Sequence, residues 1–147
     1  ISILVKNCVL CVQKSLPHDK KIIINCSQGL FFIETDRSVI LMLINNILNN
    51  AVIHCVKNVH IDLQRKRNGI TMSIEDDGPG IGIEERRDVL KPFIRTKNYK
   101  KINHKGFGLG LAIVKRIVDW QIGSMHIDKS PKYSGARVII FLESGTK

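Results

Sequence analysis

Apolar residues follow two periods along the chain, and the changes between them mark its elements. Residues 3 to 12 (ILVKNCVLCV) are nearly continuous apolar, interrupted only by Lys6 and Asn7. They predict a helix packed on its neighbours, broken by Pro17, His18 and Asp19. KIIINC (21–26) predicts a strand, Gly29 a turn and LFFIE (30–34) a second short strand. Asp36 then stands where an N-cap belongs. The run behind it places Val39, Ile40, Leu43, Ile44, Ile47, Leu48 and Ala51 at spacings of three and four, a long helix. VHIDLQR (59–65) alternates, Asn68-Gly69 is a hairpin signal, and ITMSIED (70–76) alternates back. A polar, basic stretch runs from Gly82 to Lys105. Behind it Leu111, Ile113, Val114, Ile117 and Val118 return to helical spacing, and MHID (125–128) and RVIIFLE (137–143) read as strands around a Ser134-Gly135 turn. Helices interleaved with hairpins predict an α+β fold, a two-layer sandwich with helices on one face of a mixed sheet.

Composition narrows this to one domain with a real core: 147 residues, 44% apolar. The chain opens on Ile1 and is read as a fragment of a longer protein. No stretch approaches the ~20 apolar residues of a membrane span, and no signal peptide is evident. The net charge of +10 points to an anionic partner: nucleic acid, nucleotide or acidic protein. Much of it lies in Arg86, Arg87, Lys91, Arg95, Lys97, Lys100, Lys101 and Lys105, offset locally by Glu84, Glu85 and Asp88. The few aromatic residues are not interleaved with this stretch as stacking platforms would be, which argues against nucleic acid. Cys8, Cys11, Cys26 and Cys55 are read as buried free thiols. The Cys8–Cys11 pair lies in an apolar helix without a second pair or matching histidines, so no zinc site is expected.

Three stretches carry candidate chemistry. In DDGPGIG (76–82) Asp76 ends a strand beside bare backbone, where a carboxylate can accept hydrogen bonds from a flat amine-bearing ring; the same stretch also reads as a simple turn. In NNILNNA (45–51) Asn46 and Asn50 share a helix face, and a carboxamide oxygen is a hard ligand of the kind Mg²⁺ accepts. Such asparagines also serve as an ordinary polar face. In GFGLGLAIVK (106–115) Gly106, Gly108 and Gly110 precede a helix whose first-turn N–H groups suit phosphate, or simply hinge a packed helix. No Gly-Lys-Ser/Thr follows, so this is not the Walker pattern, and a long polar loop precedes it where a dinucleotide fingerprint needs a strand.

Together these stretches resemble the ATP-binding domain of bacterial sensor histidine kinases, in the superfamily of gyrase, MutL and the ninety-kilodalton heat-shock chaperones. The resemblance runs from about Lys21 to Glu143. Asp36 to Ala51 resembles the asparagine box, DDGPGIG the first glycine box, KPFIR (91–95) the phenylalanine box, GFGLGLAIVK the second glycine box and SGARV (134–138) the terminal glycine turn.

The resemblance implies a Bergerat-type fold over residues 1–147, a mostly antiparallel sheet with a mobile ATP lid at about 82–107. It implies ATP and Mg²⁺ as cofactors. Asn50 would ligate Mg²⁺ and Asn46 would support the phosphate side. Asp76 would take the adenine amino group, with Gly78, Gly80 and Ile81 against the base and His54 at a position often aromatic or His. Gly106, Phe107, Gly108, Leu109, Gly110 and Leu111 would supply the lid and helix start near the phosphates. Phe93 would be the lid's apolar anchor, and Arg95 and Lys97 candidate phosphate contacts, with Asn50 and Arg95 expected to matter for catalysis. Two departures stand out. Ile53 occupies a position often basic, so a phosphate contact is lost or moved to Lys57. Asp77 replaces the usual Asn and adds negative charge near the nucleotide.

The implied function is transfer of the γ-phosphoryl of ATP to a histidine on the helical dimerisation domain of the parent kinase, and from there to a response regulator. His18-Asp19 mimics an acceptor motif but lacks its proline, so the acceptor domain is expected outside this chain. The parent is expected to be a homodimeric inner-membrane sensor with this domain cytoplasmic. The alternatives are a serine kinase of the same superfamily and a nucleotide-binding regulatory module.

Overall fold

A computed structural model of the chain describes residues 1–26, 33–94 and 107–144. Helix α1 (Ser2–Ser15) is followed by β1 (Lys21–Cys26), α2 (Arg37–His54), β2 (Asn58–Lys66) and β3 (Gly69–Asp76). Two single-turn 3₁₀ segments (Ile83–Glu85 and Asp88–Leu90) come next, then α3 (Gly110–Trp120), β4 (Ser124–Lys129) and β5 (Ala136–Glu143). Of the expected second strand, Ile33 and Glu34 lie outside regular structure, and 30–32 are outside the described residues.

The five strands form one sheet in the order β1-β2-β3-β5-β4. The β1–β2 pair is parallel and the others are antiparallel. A parallel pair needs a crossover, which α2 supplies. Its start is fixed as the sequence suggests: Asp36 accepts a hydrogen bond from the Ser38 N–H at 2.6 Å, satisfying an otherwise orphaned donor. Helix α2 buries Ile40, Leu43, Ile44, Ile47, Leu48 and Ala51. Truncating any of the larger ones to alanine would cost about 2–5 kcal/mol.

The register aligns one apolar face across the sheet. Ile24, Ile61, Ile74 and Val138 stand in one row, and Cys26, Leu63, Met72 and Ile140 in the next. Side chains alternate along a strand, so Ile70, Met72, Ile74 and Asp76 of β3 share this helix-facing side. Asp76 is thereby carried into the interior by the same alternation that buries the isoleucines.

The opposite face is mixed, with Ile23, Ile139 and Phe141 among polar side chains. There Glu75 accepts from the Ser130 hydroxyl at 2.5 Å and pairs with Arg137 at 3.4 Å. The His60 ring stacks on Tyr133. The cysteines are all free, as expected, but not all buried: Cys8 and Cys55 are, Cys26 is half-buried, and Cys11 is exposed on the outer side of α1. Among the described residues no helix is long and apolar enough to cross a membrane.

Candidate nucleotide site

Asp76 is 5% exposed at the C-terminal end of β3. Its Oδ1 accepts hydrogen bonds from the Gly78 N–H at 2.9 Å and the Ala136 N–H at 3.2 Å. Its second carboxylate oxygen takes no bond among the described residues. Burial pushes this carboxyl above the ordinary aspartate value, against the lowering effect of the two backbone donors. A buried carboxylate with one spare acceptor oxygen is built to receive a donor from outside.

Backbone without side chains surrounds it. A Cβ on Gly78 would collide with the His54 carbonyl oxygen at the end of α2 and would lie 2.9 Å from Asp76 Oδ1. A Cβ on Gly135 would collide with the Asp76 carbonyl oxygen. Gly80, at φ 73°, lies against the backbone of Ser134 and Gly135. The β4–β5 turn is therefore the second wall of the carboxylate. Sequence reading marked Ser134-Gly135 only as a turn and family motif. The signal that could have found its role is the pairing of β3 with β5, which brings Ala136 opposite Asp76.

Helix α2 links this corner to the rest of the site. His54 is half-buried and touches Gly78 through its carbonyl oxygen. Asn50 lies one turn earlier on α2, half-buried, and Asn46 one turn before that. Asn46 donates from Nδ2 to the Met42 carbonyl at 2.8 Å, which turns its Oδ1 outward. That Oδ1 and the Asn46 backbone oxygen are the nearest atoms to a Cβ built on Gly110, at 3.7 Å. Gly110 opens α3, whose N-cap Leu109 offers no side-chain hydrogen bond, so the first-turn N–H groups carry no side-chain cap. From His54 to Asn46 is eight residues of helix, about 12 Å. The site thus runs as one line from Asp76 and Gly78, along one side of α2, to the start of α3. Asn45 and Asn49 are exposed on another side of α2 as an ordinary polar face.

Other expected residues fall around this line. Gly108 has φ 69°, and its carbonyl accepts from the Phe93 N–H at 3.0 Å, so a residue inside the expected lid is tied back to the segment that follows it. A Cβ on Gly108 would press on the Ile94 carbonyl at 2.7 Å. Ile81 is partly buried against the core, and Leu111 is buried in it, leaving only backbone for a ligand. Phe107 is 78% exposed, and Phe93, expected as an apolar anchor, is 73% exposed with φ 65°. The first part of the expected lid packs on the body: Val89 joins the core, and Arg86 pairs with Asp128 at 3.1 Å. Arg95, Lys97 and Gly106 lie outside the described residues.

Of the two departures noted in the sequence, Ile53 lies near the end of α2 and Asp77 at the α2–β2 junction. Helix α2 ends at His54 and Cys55 is extended, so Lys57 does not sit one helical turn beyond Ile53. The Asp77 carboxylate turns to the α2–β2 junction. It accepts from the N–H groups of Val56 at 2.8 Å, Lys57 at 3.0 Å and Asn58 at 2.9 Å, and from Asn58 Nδ2 at 3.0 Å. Those donors outweigh its partial burial and hold it below the ordinary aspartate value. The carboxylate is thus held ionised by these donors, and its charge is felt by the neighbouring Asp76.

For a metal, the donor set is informative. Among the described residues no cluster of three or more His, Cys, Asp or Glu side chains is present. Carboxamides on α2, with an uncapped helix start nearby to hold phosphates, fit a cation such as Mg²⁺, which keeps water and takes most other ligands from substrate phosphates. They do not fit an all-protein cage.

Comparison with known proteins agrees with this geometry. The profile of the histidine kinase-, DNA gyrase B-, and HSP90-like ATPases matches residues 35–146. The sensor histidine kinase CpxA of Escherichia coli (strain K12) is 33% identical over 99 residues, 67% of this chain and 21% of CpxA. The sensor protein RstB of the same organism is 39% identical over 94 residues, 64% of this chain and 22% of RstB. The chain thus spans about a fifth of the curated relatives it matches. Among solved structures, the mycobacterial sensor histidine kinase MprB superposes with a TM-score of 0.83 at 25% identity, covering 99% of this chain and 95% of that one. The catalytic domain of histidine kinase ThkA gives 0.85 at 20% identity, covering 98% and 92%. On motif order, fold and sequence together, the chain belongs to the histidine kinase-, DNA gyrase B-, and HSP90-like ATPase family.

Proposed function

We propose that this domain binds ATP with Mg²⁺ and passes the γ-phosphoryl group to a histidine on the dimerisation domain of its parent sensor kinase, which then serves a response regulator. The observation that carries the reading is the continuous line from a buried carboxylate with a spare oxygen to an uncapped helix start, with asparagines between. Its length of about 12 Å along α2 suits a base at one end and phosphates at the other.

In this reading Asp76 accepts from the adenine amino group, and Gly78 and Gly80 let the base approach the backbone. The first-turn N–H groups of α3 hold phosphate oxygens. Asn50 holds Mg²⁺, which when bound neutralises phosphate charge, and Asn46 orients the phosphate side. Arg95 and Lys97 are candidate contacts to the γ-phosphoryl group. No side chain on the line is a convincing general base. Catalysis is then positioning plus stabilisation of charge on the transferring group, and the acceptor's domain supplies the nucleophile. The parent as a homodimeric inner-membrane sensor, with this domain in the cytoplasm, belongs to the same proposal.

Calorimetric titration with ATP, with and without Mg²⁺, tests the binding half. Asn50→Ala is expected to abolish the Mg²⁺-dependent part, and wild-type affinity in that variant rejects the ligand role. Incubation with γ-labelled ATP and the parent's helical domain tests transfer. Ile53, half-buried on α2 where the family often carries a cation, is what favours a regulatory module. Tight ATP binding with no label on histidine would decide for that reading.

A further inference from the structure

The described part of the nucleotide line is built from two rigid pieces, the end of β3 with Asp76 and helix α2 with Asn50. They are separate in sequence, and their relative placement is not set by either element alone. Where they meet, helix α2 has ended and three successive N–H groups, those of Val56, Lys57 and Asn58, converge on the Asp77 carboxylate. Asn58 Nδ2 adds a fourth donor, and the Asp77 N–H returns a bond to the Asn58 carbonyl at 3.3 Å. Consecutive N–H groups of this kind form an anion-holding concavity, here filled by the protein's own side chain. Asp77 is flanked by Asp76 on one side and by Gly78 on the other, and Gly78 is already pressed on the His54 carbonyl oxygen. The knot thus ties the residue after Asp76 to the residues that follow α2, the helix that carries Asn50.

We propose that Asp77 is a positioning residue that fixes the spacing between the base-binding and metal-binding halves of the site. It touches no substrate. This inference rests on the ATP reading given above. Two half-sites joined rigidly bind a two-headed ligand far better than either half binds its fragment, because the second contact is made at high effective concentration. A positioning role therefore predicts a specific pattern. Loss of the knot weakens the whole nucleotide and spares the fragments.

The test measures wild type, Asp77→Ala, Asp77→Asn and Asn58→Ala against three probes: Mg²⁺–ATP, adenosine alone, and Mg²⁺–inorganic triphosphate. Calorimetry reads the first and ligand-detected NMR the other two, with near-ultraviolet circular dichroism reporting the folded fraction. Asp77→Ala is expected to weaken Mg²⁺–ATP by about 10-fold or more while changing each fragment by less than about 3-fold. Asp77→Asn retains one acceptor oxygen, enough for two of the four donors, and is expected to recover part of the loss. Asn58→Ala removes only the side-chain donor and is expected to show the same pattern in weaker form; it carries the test if Asp77→Ala does not fold. Unchanged Mg²⁺–ATP affinity in Asp77→Ala, or losses shared equally by all three probes, overturns the positioning role. Wild-type protein that binds no Mg²⁺–ATP overturns the ATP reading itself, and this inference with it.

Discussion

Replacing Asp76 with Asn separates what this carboxylate does for the fold from what it does for a ligand. The substitution keeps an oxygen that can accept from the Gly78 and Ala136 N–H groups, at 2.9 and 3.2 Å in the parent side chain. It replaces the spare oxygen with an NH₂ group. Burial raises the Asp76 pKa above the ordinary aspartate value of 3.8, so the ionised form is disfavoured in the fold. The sign follows from linkage. Below pH 3.8 the carboxyl is protonated in both states and the charge costs nothing. As pH rises through the folded-state value, the native protein must leave a negative charge in a poorly solvated place and stability falls. Asp76→Asn is therefore expected to match the wild type in acid and to be the more stable protein at neutral pH, unusual for a substitution at a 5% exposed polar position.

Binding should move the other way. An amide NH₂ cannot accept from an adenine amino group. Losing a hydrogen bond to a charged acceptor costs about 1.5–3 kcal/mol, roughly 10- to 150-fold in affinity. Inorganic triphosphate does not reach this corner and should bind as before. Urea denaturation across pH 4 to 8, beside calorimetry with ATP and with triphosphate, reads both effects. Equal losses for the two ligands would remove the adenine assignment, and a variant less stable at pH 7 would refute the account of the buried charge.

Two further outcomes follow from the walls of the same corner. Gly135→Ala would drive a Cβ into the Asp76 carbonyl oxygen; it should cost about 1–3 kcal/mol of stability and weaken ATP more than triphosphate, and a neutral variant would mean the turn is not packed as described. On the other face of the sheet, burial and the nearby Lys132 lower the His60 pKa against the opposing effects of Glu75 and Asp77, and its Nδ1 lies 3.1 Å from the Tyr133 hydroxyl. A lowered histidine pKa contributes stability above the unfolded value of 6.5 that is lost as pH falls. The stability of the wild type, read by thermal unfolding, should thus fall more between pH 7.5 and 5.5 than that of His60→Gln, and parallel profiles would exclude His60 as the titrating group.

Much of this was legible without coordinates, and for local reasons. Side-chain period is a property of the backbone, so the spacing from Val39 to Ala51 could only be one face of a helix, and the alternation from Ile70 to Asp76 could only put Asp76 on the isoleucine face. Asp36 capped α2 because a short acidic side chain before an apolar run has an unpaired N–H within reach. The order of the glycine and asparagine motifs carried the family for the same reason: each is short, local and chemically constrained.

What remained hidden depends on who meets whom across the chain. That Gly135 backs Asp76 follows from β3 pairing with β5, some 60 residues away, and no local pattern announces it. Nor does sequence say which way a carboxylate turns. Asp76 and Asp77 are neighbours of identical chemistry, yet one faces the helix layer with a spare oxygen, and the other is consumed by the backbone of residues 56–58. The strand's alternation sent them apart, but only the approach of the α2–β2 junction decided that the Asp77 carboxylate would be held by the N–H groups of residues 56–58.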